Sequence, residues 1–289
     1  MEFYLKKVAV IGSGVMGSQI ALQCAICGFD TIIVSRNSDG RKKARNNIVN
    51  YLKMMQVNKM IQESEIPFIL NRLIITSEFE KAINDADYII ESVVEKQEVK
   101  KEVFKKISKY CRDESIVLTN TSSFVPSMFV DYIKNCERFC ALHFYSPVWK
   151  TCVVDIMCHS KTTDHVKELV KEFAHRLKQQ PIIIQKERSN YVFNSILCQI
   201  ICVSIKLVMD EVTNKEDVDV LWKSILGTNV GPFGIMDAIG LDTVYNIIEQ
   251  NIPKLKFDNK DAGRYLQLLQ KYIDNGELGI KTGKGFFKY

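Results

Sequence analysis

Two short β-branched apolar runs, at 6–11 and 31–34, flank the stretch SQIALQCAICGF (18–29), whose apolar residues recur at helical spacing and whose Gly28 is placed to end a helix. Strand, helix and strand in that order predict a βαβ unit. The alternation continues with a lysine-rich helix near 39–61, a strand at LIITS (73–77), a short helix at 78–84, a strand at DYIIES (87–92), a helix at 96–110 and a strand at SIVLTN (115–120). A helix near 125–134, strands at FCALHF (139–144) and CVVDIM (152–157), the helix DHVKELVKEFAHRLK (164–178) and the strand PIIIQ (181–185) follow. Strands separated by helices predict an α/β domain, a Rossmann-type, mostly parallel sheet covered on both faces. Past residue 188 only helical patterns remain, so a Rossmann-type domain is expected over 1–187 and an all-helical C-terminal domain, of a kind that frequently supplies dimer contacts, over 188–289.

Composition narrows the class. The chain has 289 residues, 46% of them apolar, a mean hydropathy of −0.05 and a net charge of +5, which fits a globular protein with a substantial core. The charge lies on faces such as KQEVKKEVFKKISKY (96–110), where lysines alternate with acids; nucleic-acid binding is not expected. The start of the sequence carries no secretory pattern, which leads to the expectation of a cytoplasmic protein. Nine cysteines at irregular spacings argue for reduced thiols rather than a disulfide framework. Cys24 and Cys27 form a C-x-x-C late in a helix rather than opening one, and no second tight pair completes a zinc site, so no metal is expected. The apolar stretch 191–209 contains Asn194, Gln199 and Lys206, polar groups too costly for a membrane span.

Gly12, Gly14 and Gly17 form G-x-G-x-x-G between the first strand and the first helix, with Val15 and Met16 in the same turn. In that position the pattern predicts a dinucleotide site: a tight turn, close backbone approach to a pyrophosphate, and free N–H groups at a helix start. The residue ending the second strand usually bonds the ribose 2′-hydroxyl through a carboxylate. Ser35 stands there, followed by Arg36 and by Arg41, Lys42 and Lys43. A hydroxyl beside a guanidinium suits a phosphate, so NADP(H) is favoured, with NAD(H) as the alternative.

A fold of this type does not name a reaction. NTSS (120–123), LHFYSP (142–147), YVFNS (191–195), VVEKQEVKKEVF (93–104), VGPFGIMDAIGLD (230–242) and GIKTGKGFFKY (279–289), together with the glycine turn, resemble the L-3-hydroxyacyl-CoA dehydrogenase family over essentially the whole chain. The resemblance implies reversible oxidation at C3 of an acyl thioester. It implies His143 as the catalytic base and Asp155, twelve residues on, as its carboxylate partner, where the family has glutamate. It implies Ser122 and Asn194 as hydrogen-bond donors to the reacting oxygen, and Glu95, Lys100 and Asn120 at the nicotinamide end of the cofactor.

Departures accompany the matches. Ser146 replaces the asparagine of the family's HFFNP, SNY (189–191) replaces PGF, Ser195 stands where an arginine is common, and Asn58, near Tyr51, replaces a lysine on the CoA side, with Lys53 and Lys59 as substitutes. The substrate is therefore expected to be an acyl thioester of CoA or of an acyl carrier protein. A catalytically silent nucleotide-binding homologue is the reading from a different class, and a homodimer is expected through the helical domain.

Overall fold

The computed structural model describes residues 6–251 and 259–289. The chain divides into two compact units, the first ending at Tyr191 and the second beginning at Val192.

In the first unit, β1 (Lys7–Ile11), β2 (Asp30–Val34), β3 (Leu73–Thr76), β4 (Tyr88–Glu91), β5 (Ile116–Thr119), β6 (Phe139–Phe144), β7 (Val153–Cys158) and β8 (Gln180–Ile184) form one sheet, ordered β3-β2-β1-β4-β5-β6-β7-β8. Every neighbouring pair is parallel except β6 and β7. Alternate residues of each strand feed opposite faces: Val8 and Val10 enter one core with Ile90, Leu118 and Leu142, while Ala9 and Ile11 enter another with Ile89 and Val117. A strand covered on both sides reads as a continuous apolar run, which is why these strands are legible without a polar alternation.

The helices of this unit are α1 (Val15–Ile26), α2 (Ser38–Val57), α3 (Ile66–Asn71), α4 (Phe79–Asn84), α5 (Gln97–Tyr110), α6 (Val148–Thr151) and α7 (Asp164–Arg176). Gly28 follows α1 with φ of 90°, as expected of the residue that ends a helix. Two expectations need correction. The segment near 125–134 is a 3₁₀ helix, Pro126–Tyr132, with Pro126 in its first turn and the Tyr132 carbonyl accepting from the Ser108 hydroxyl of α5. The helix expected to reach 61 stops at Val57 with Asn58 as its cap, whose side chain donates back to the Met54 carbonyl at 2.7 Å. The short helices α3 and α6 have no long apolar period to announce them.

The second unit holds α8 (Phe193–Met209), α9 (Lys215–Leu226), α10 (Pro232–Ile239), α11 (Leu241–Asn251) and α12 (Asn259–Asp274) around a core of Ile201, Ile205, Phe233, Met236, Val244 and Leu269. Two buried aspartates organise it. Asp219 accepts from the Phe233 and Gly234 amides and so caps α10; Asp237 accepts from the Phe286 and Phe287 amides and from the Tyr289 hydroxyl, holding the C-terminal segment. Among the described residues no helix is long and apolar enough to cross a membrane.

Candidate active site

The site residues of the first unit gather where the parallel strands β1, β4, β5 and β6 end, the edge at which open α/β sheets bind ligands. At the end of β1 the glycine turn is set by sterics. Gly12 has φ of 125°, and a Cβ there would lie 2.2 Å from the Ser92 carbonyl oxygen; a Cβ on Gly17 would lie 2.2 Å from the Gly12 carbonyl oxygen. Both positions exclude a side chain because strand, turn and helix pack backbone to backbone. Gly14 differs, since a Cβ built on it meets nothing within 4 Å. It projects into open space at the start of α1, a helix with no side-chain cap and no acidic residue in its first turn. Bare N–H groups facing an open path fit a dinucleotide pyrophosphate.

Val15 is exposed and Met16 half-buried in that first turn. At the end of β2, Ser35 is buried and its hydroxyl lies 2.7 Å from that of Ser13 in the glycine turn. Arg36 is exposed, while Arg41 reaches back from α2 to donate to the Ser35 and Arg36 carbonyls at 3.0 and 3.1 Å. Asn37 caps α2 by accepting from the Gly40 amide.

At the ends of β4 and β5 the structure joins three of the expected residues. Lys100 is not a surface lysine: it is 1% exposed and pairs with Glu91 at 2.8 Å and with Glu95 at 3.1 Å. Glu95 in turn accepts from the Thr121 hydroxyl and from the Ser122 and Ser123 amides at 3.1 and 3.0 Å. Burial alone would raise Glu95, but Lys100 and these donors outweigh it and hold the carboxyl below its ordinary range. Lys100 therefore acts on the 121–123 turn through Glu95. Asn120 accepts from the Phe144 amide at 2.9 Å, tying the end of β5 to the end of β6.

His143 is buried on β6 directly opposite Asp155 in the antiparallel ladder with β7, and its Nδ1 lies 3.3 Å from Asp155 Oδ2. The ring sits between Tyr145 and Tyr191, with centroids 4.6 Å away in both cases. Past the strand, Gln19 of α1 holds the following turn, donating to the Ser146 hydroxyl at 3.1 Å and accepting from the Val148 amide; the Ser146–Pro147 peptide is cis. Asn194 stands in the first turn of α8, in the second unit.

Sequence reasoning passes over Gln19, Glu91, Thr121, Tyr145 and Tyr191. For Tyr145 a signal existed: it lies two residues past His143, and residues i and i+2 of extended chain share a face. The others meet partners distant in sequence, as in Thr121 to Glu95 across 26 positions, Glu91 to Thr119 across 28 and Gln19 to Ser146 across 127, and carry no local pattern.

Chemically, the arrangement offers an imidazole with one nitrogen turned to a carboxylate and the other able to exchange a proton, beside a turn suited to a dinucleotide. Among the described residues no group of three or more His, Cys, Asp or Glu is placed to hold a metal ion.

Comparison with known proteins agrees with this construction. Residues 7–188 match the family model described as "3-hydroxyacyl-CoA dehydrogenase, NAD binding domain", and residues 191–289 match "3-hydroxyacyl-CoA dehydrogenase, C-terminal domain". The chain is 32% identical to a 3-hydroxybutyryl-CoA dehydrogenase of Clostridioides difficile, over 98% of this chain and 99% of that one. It is 30% identical to a 3-hydroxybutyryl-CoA dehydrogenase of Bradyrhizobium diazoefficiens, over 100% and 97%. Among solved structures, FadB2 of M. tuberculosis superposes with a TM-score of 0.91 at 28% identity, covering 99% of both chains. The resemblance and the two-part fold read from the sequence are borne out, and the chain belongs to the 3-hydroxyacyl-CoA dehydrogenase family.

Proposed function

We propose that this protein interconverts a short-chain 3-hydroxyacyl thioester and its 3-oxoacyl counterpart, with CoA as the thioester carrier and a nicotinamide dinucleotide as the redox partner. The observation that carries the reading is the buried His143–Asp155 pair at the same sheet edge as the glycine turn.

Hydride exchange at C3 would come from the cofactor when bound; binding, orientation and proton transfer fall to the residues of the chain. Gly12, Gly14, Val15, Met16 and Gly17 present the turn and the helix N–H groups to the pyrophosphate. Glu95, held by Lys100, fixes the turn that carries Ser122. With Nδ1 of His143 facing Asp155, Nε2 takes the hydroxyl proton in oxidation and returns it in reduction, and the carboxylate stabilises the imidazolium formed between. Ser122 donates to the oxygen on C3 as its charge develops.

Two finer features belong to the proposal. NADP(H) is favoured over NAD(H), because Ser35 puts a hydroxyl already engaged by Ser13 where a ribose-binding carboxylate would sit, and Arg36 stands exposed beside it. A homodimer in the cytoplasm is supported by apolar side chains exposed on the second unit, Val203, Leu207, Leu221, Ile225 and Leu226, and by nine free cysteines.

One observation favours a carrier-protein thioester instead: Asn58, on the CoA side, spends its side-chain amide on the Met54 carbonyl. Purified protein mixed with acetoacetyl-CoA and reduced cofactor is expected to consume the cofactor rapidly. Consumption with an acetoacetyl carrier-protein thioester and not with CoA would replace the CoA reading by the carrier reading, and consumption with neither would overturn the proposal.

A further inference from the structure

The carboxylate of Asp155 receives two donors on one oxygen. Tyr145 donates its hydroxyl to Oδ2 at 2.5 Å, whereas His143 Nδ1 lies 3.3 Å from that atom. The first distance is that of a strong, charge-assisted hydrogen bond; the second is well beyond the 2.7–2.9 Å usual for a ring nitrogen on a carboxylate. The tyrosine thus fixes the direction of the carboxylate, and the imidazole meets it in the place so fixed. The local chain explains the meeting. Tyr145 follows His143 by two residues, so both point to the face on which Asp155 stands opposite His143 across the ladder. The Tyr145 ring also packs edge-on to the imidazole at 66°. Burial, and after it the hydrogen bond to Asp155 and the charge of that carboxylate, push the phenol above its ordinary range, so it stays a donor near neutral pH.

An aspartate is one carbon–carbon bond, about 1.5 Å, shorter than a glutamate. A short carboxylate left to itself has several rotamers, of which few face the imidazole. We propose that Tyr145 is a positioning residue for the acid/base pair: by anchoring Asp155 Oδ2 it fixes the proton of His143 on Nδ1 and leaves Nε2 for the substrate. The inference rests on the function proposed above for His143. It assigns three members, Tyr145, Asp155 and His143, to a unit that the family pattern suggests as two.

The test is a cycle of variants with two readouts. Tyr145→Phe removes only the hydroxyl and is expected to lower kcat about tenfold, the scale of one hydrogen bond to a charged group, with KM for the thioester and cofactor affinity within twofold of wild type. Asp155→Glu alone is expected to lose activity, because the added methylene drives the carboxylate into the Tyr145 hydroxyl. In the Tyr145→Phe background the longer Asp155→Glu side chain is expected to reach the ring unaided and restore kcat to within a few-fold of wild type. Wild-type kcat in Tyr145→Phe, or an Asp155→Glu effect that is the same with and without the hydroxyl, would overturn the proposal. The second readout needs no turnover: ¹⁵N spectra of labelled histidine in the protein without cofactor, with His143 assigned through His143→Gln. The ring is expected to hold its proton on Nδ1 in wild type and to divide between tautomers in Tyr145→Phe. An unchanged tautomer contradicts the positioning role even if the enzyme is active, and a changed one upholds it even if no thioester is turned over.

Discussion

Asp155 stands directly across the β6–β7 ladder from His143, with its Oδ2 3.3 Å from Nδ1 of the ring and both side chains almost fully buried. An antiparallel pairing places opposed side chains on the same face, within reach of one another. The pair is therefore fixed by strand register, and a slip by one residue would separate its members onto opposite faces.

If the carboxylate stabilises the imidazolium, its charge matters and its shape does not suffice. Asp155→Asn keeps the size and removes the charge, and kcat is expected to fall roughly 10²-fold or more, measured by steady-state absorbance of the reduced cofactor. Turnover within a few-fold of wild type would remove Asp155 from the role.

Glu95 yields a pH prediction. Its carboxyl is held below the ordinary value of 4.5 in the folded protein, where burial is outweighed by Lys100 and the 121–123 donors. A depressed folded pKa contributes stability that is complete above the unfolded value and is lost as pH falls through the folded one. Glu95→Gln is expected to destabilise the protein at pH 7, with the gap to wild type narrowing as pH falls below about 4, followed by urea unfolding at stepped pH. A gap constant with pH would contradict the assignment.

The glycine turn separates packing from binding. Gly17→Ala forces a Cβ against the Gly12 carbonyl and is expected to lower stability by roughly 1–3 kcal/mol. Gly14→Ala meets open space and is expected to leave stability within about 1 kcal/mol while weakening cofactor binding, read by quenching of protein fluorescence. Equal stability losses in the two variants would contradict the geometry.

Cofactor choice is tested at the end of β2. Arg36→Asp is expected to lower kcat/KM for NADPH and raise it for NADH, since a carboxylate there accepts from a ribose hydroxyl and repels a phosphate. An unchanged ratio would remove the preference.

The strands were legible because they are covered on both faces: Val8–Ile11, Ile89–Ile90 and Cys140–Leu142 read as unbroken apolar runs. The glycine turn was legible because steric exclusion leaves no other residue possible at 12 and 17. The family likeness points to His143 and Asp155 through motif spacing alone, and the twelve-residue interval is the one that sets them opposite each other in the β6–β7 ladder. Other parts were not legible, for physical reasons. The segment after Pro126 has the composition of a helix, but it is tied to α5 by the Ser108 hydroxyl, which donates to the Tyr132 carbonyl across 24 positions of chain. Lys100 sits in a lysine-rich helix that looks solvated throughout, and only the fold places Glu91 and Glu95 against its ammonium. Gln19 meets Ser146 across 127 residues of chain, a contact that no local pattern encodes.

If the imidazole at 143 shuttles the proton, chemistry and cofactor binding are separable, since the dinucleotide site stands independently of it. Steady-state reduction of acetoacetyl-CoA by wild type and by His143→Gln, with cofactor affinity measured in parallel by fluorescence, tests it most directly. His143→Gln is expected to lose roughly 10²–10⁴-fold in kcat with cofactor affinity preserved; turnover within a few-fold of wild type would mean that the imidazole does not shuttle the proton.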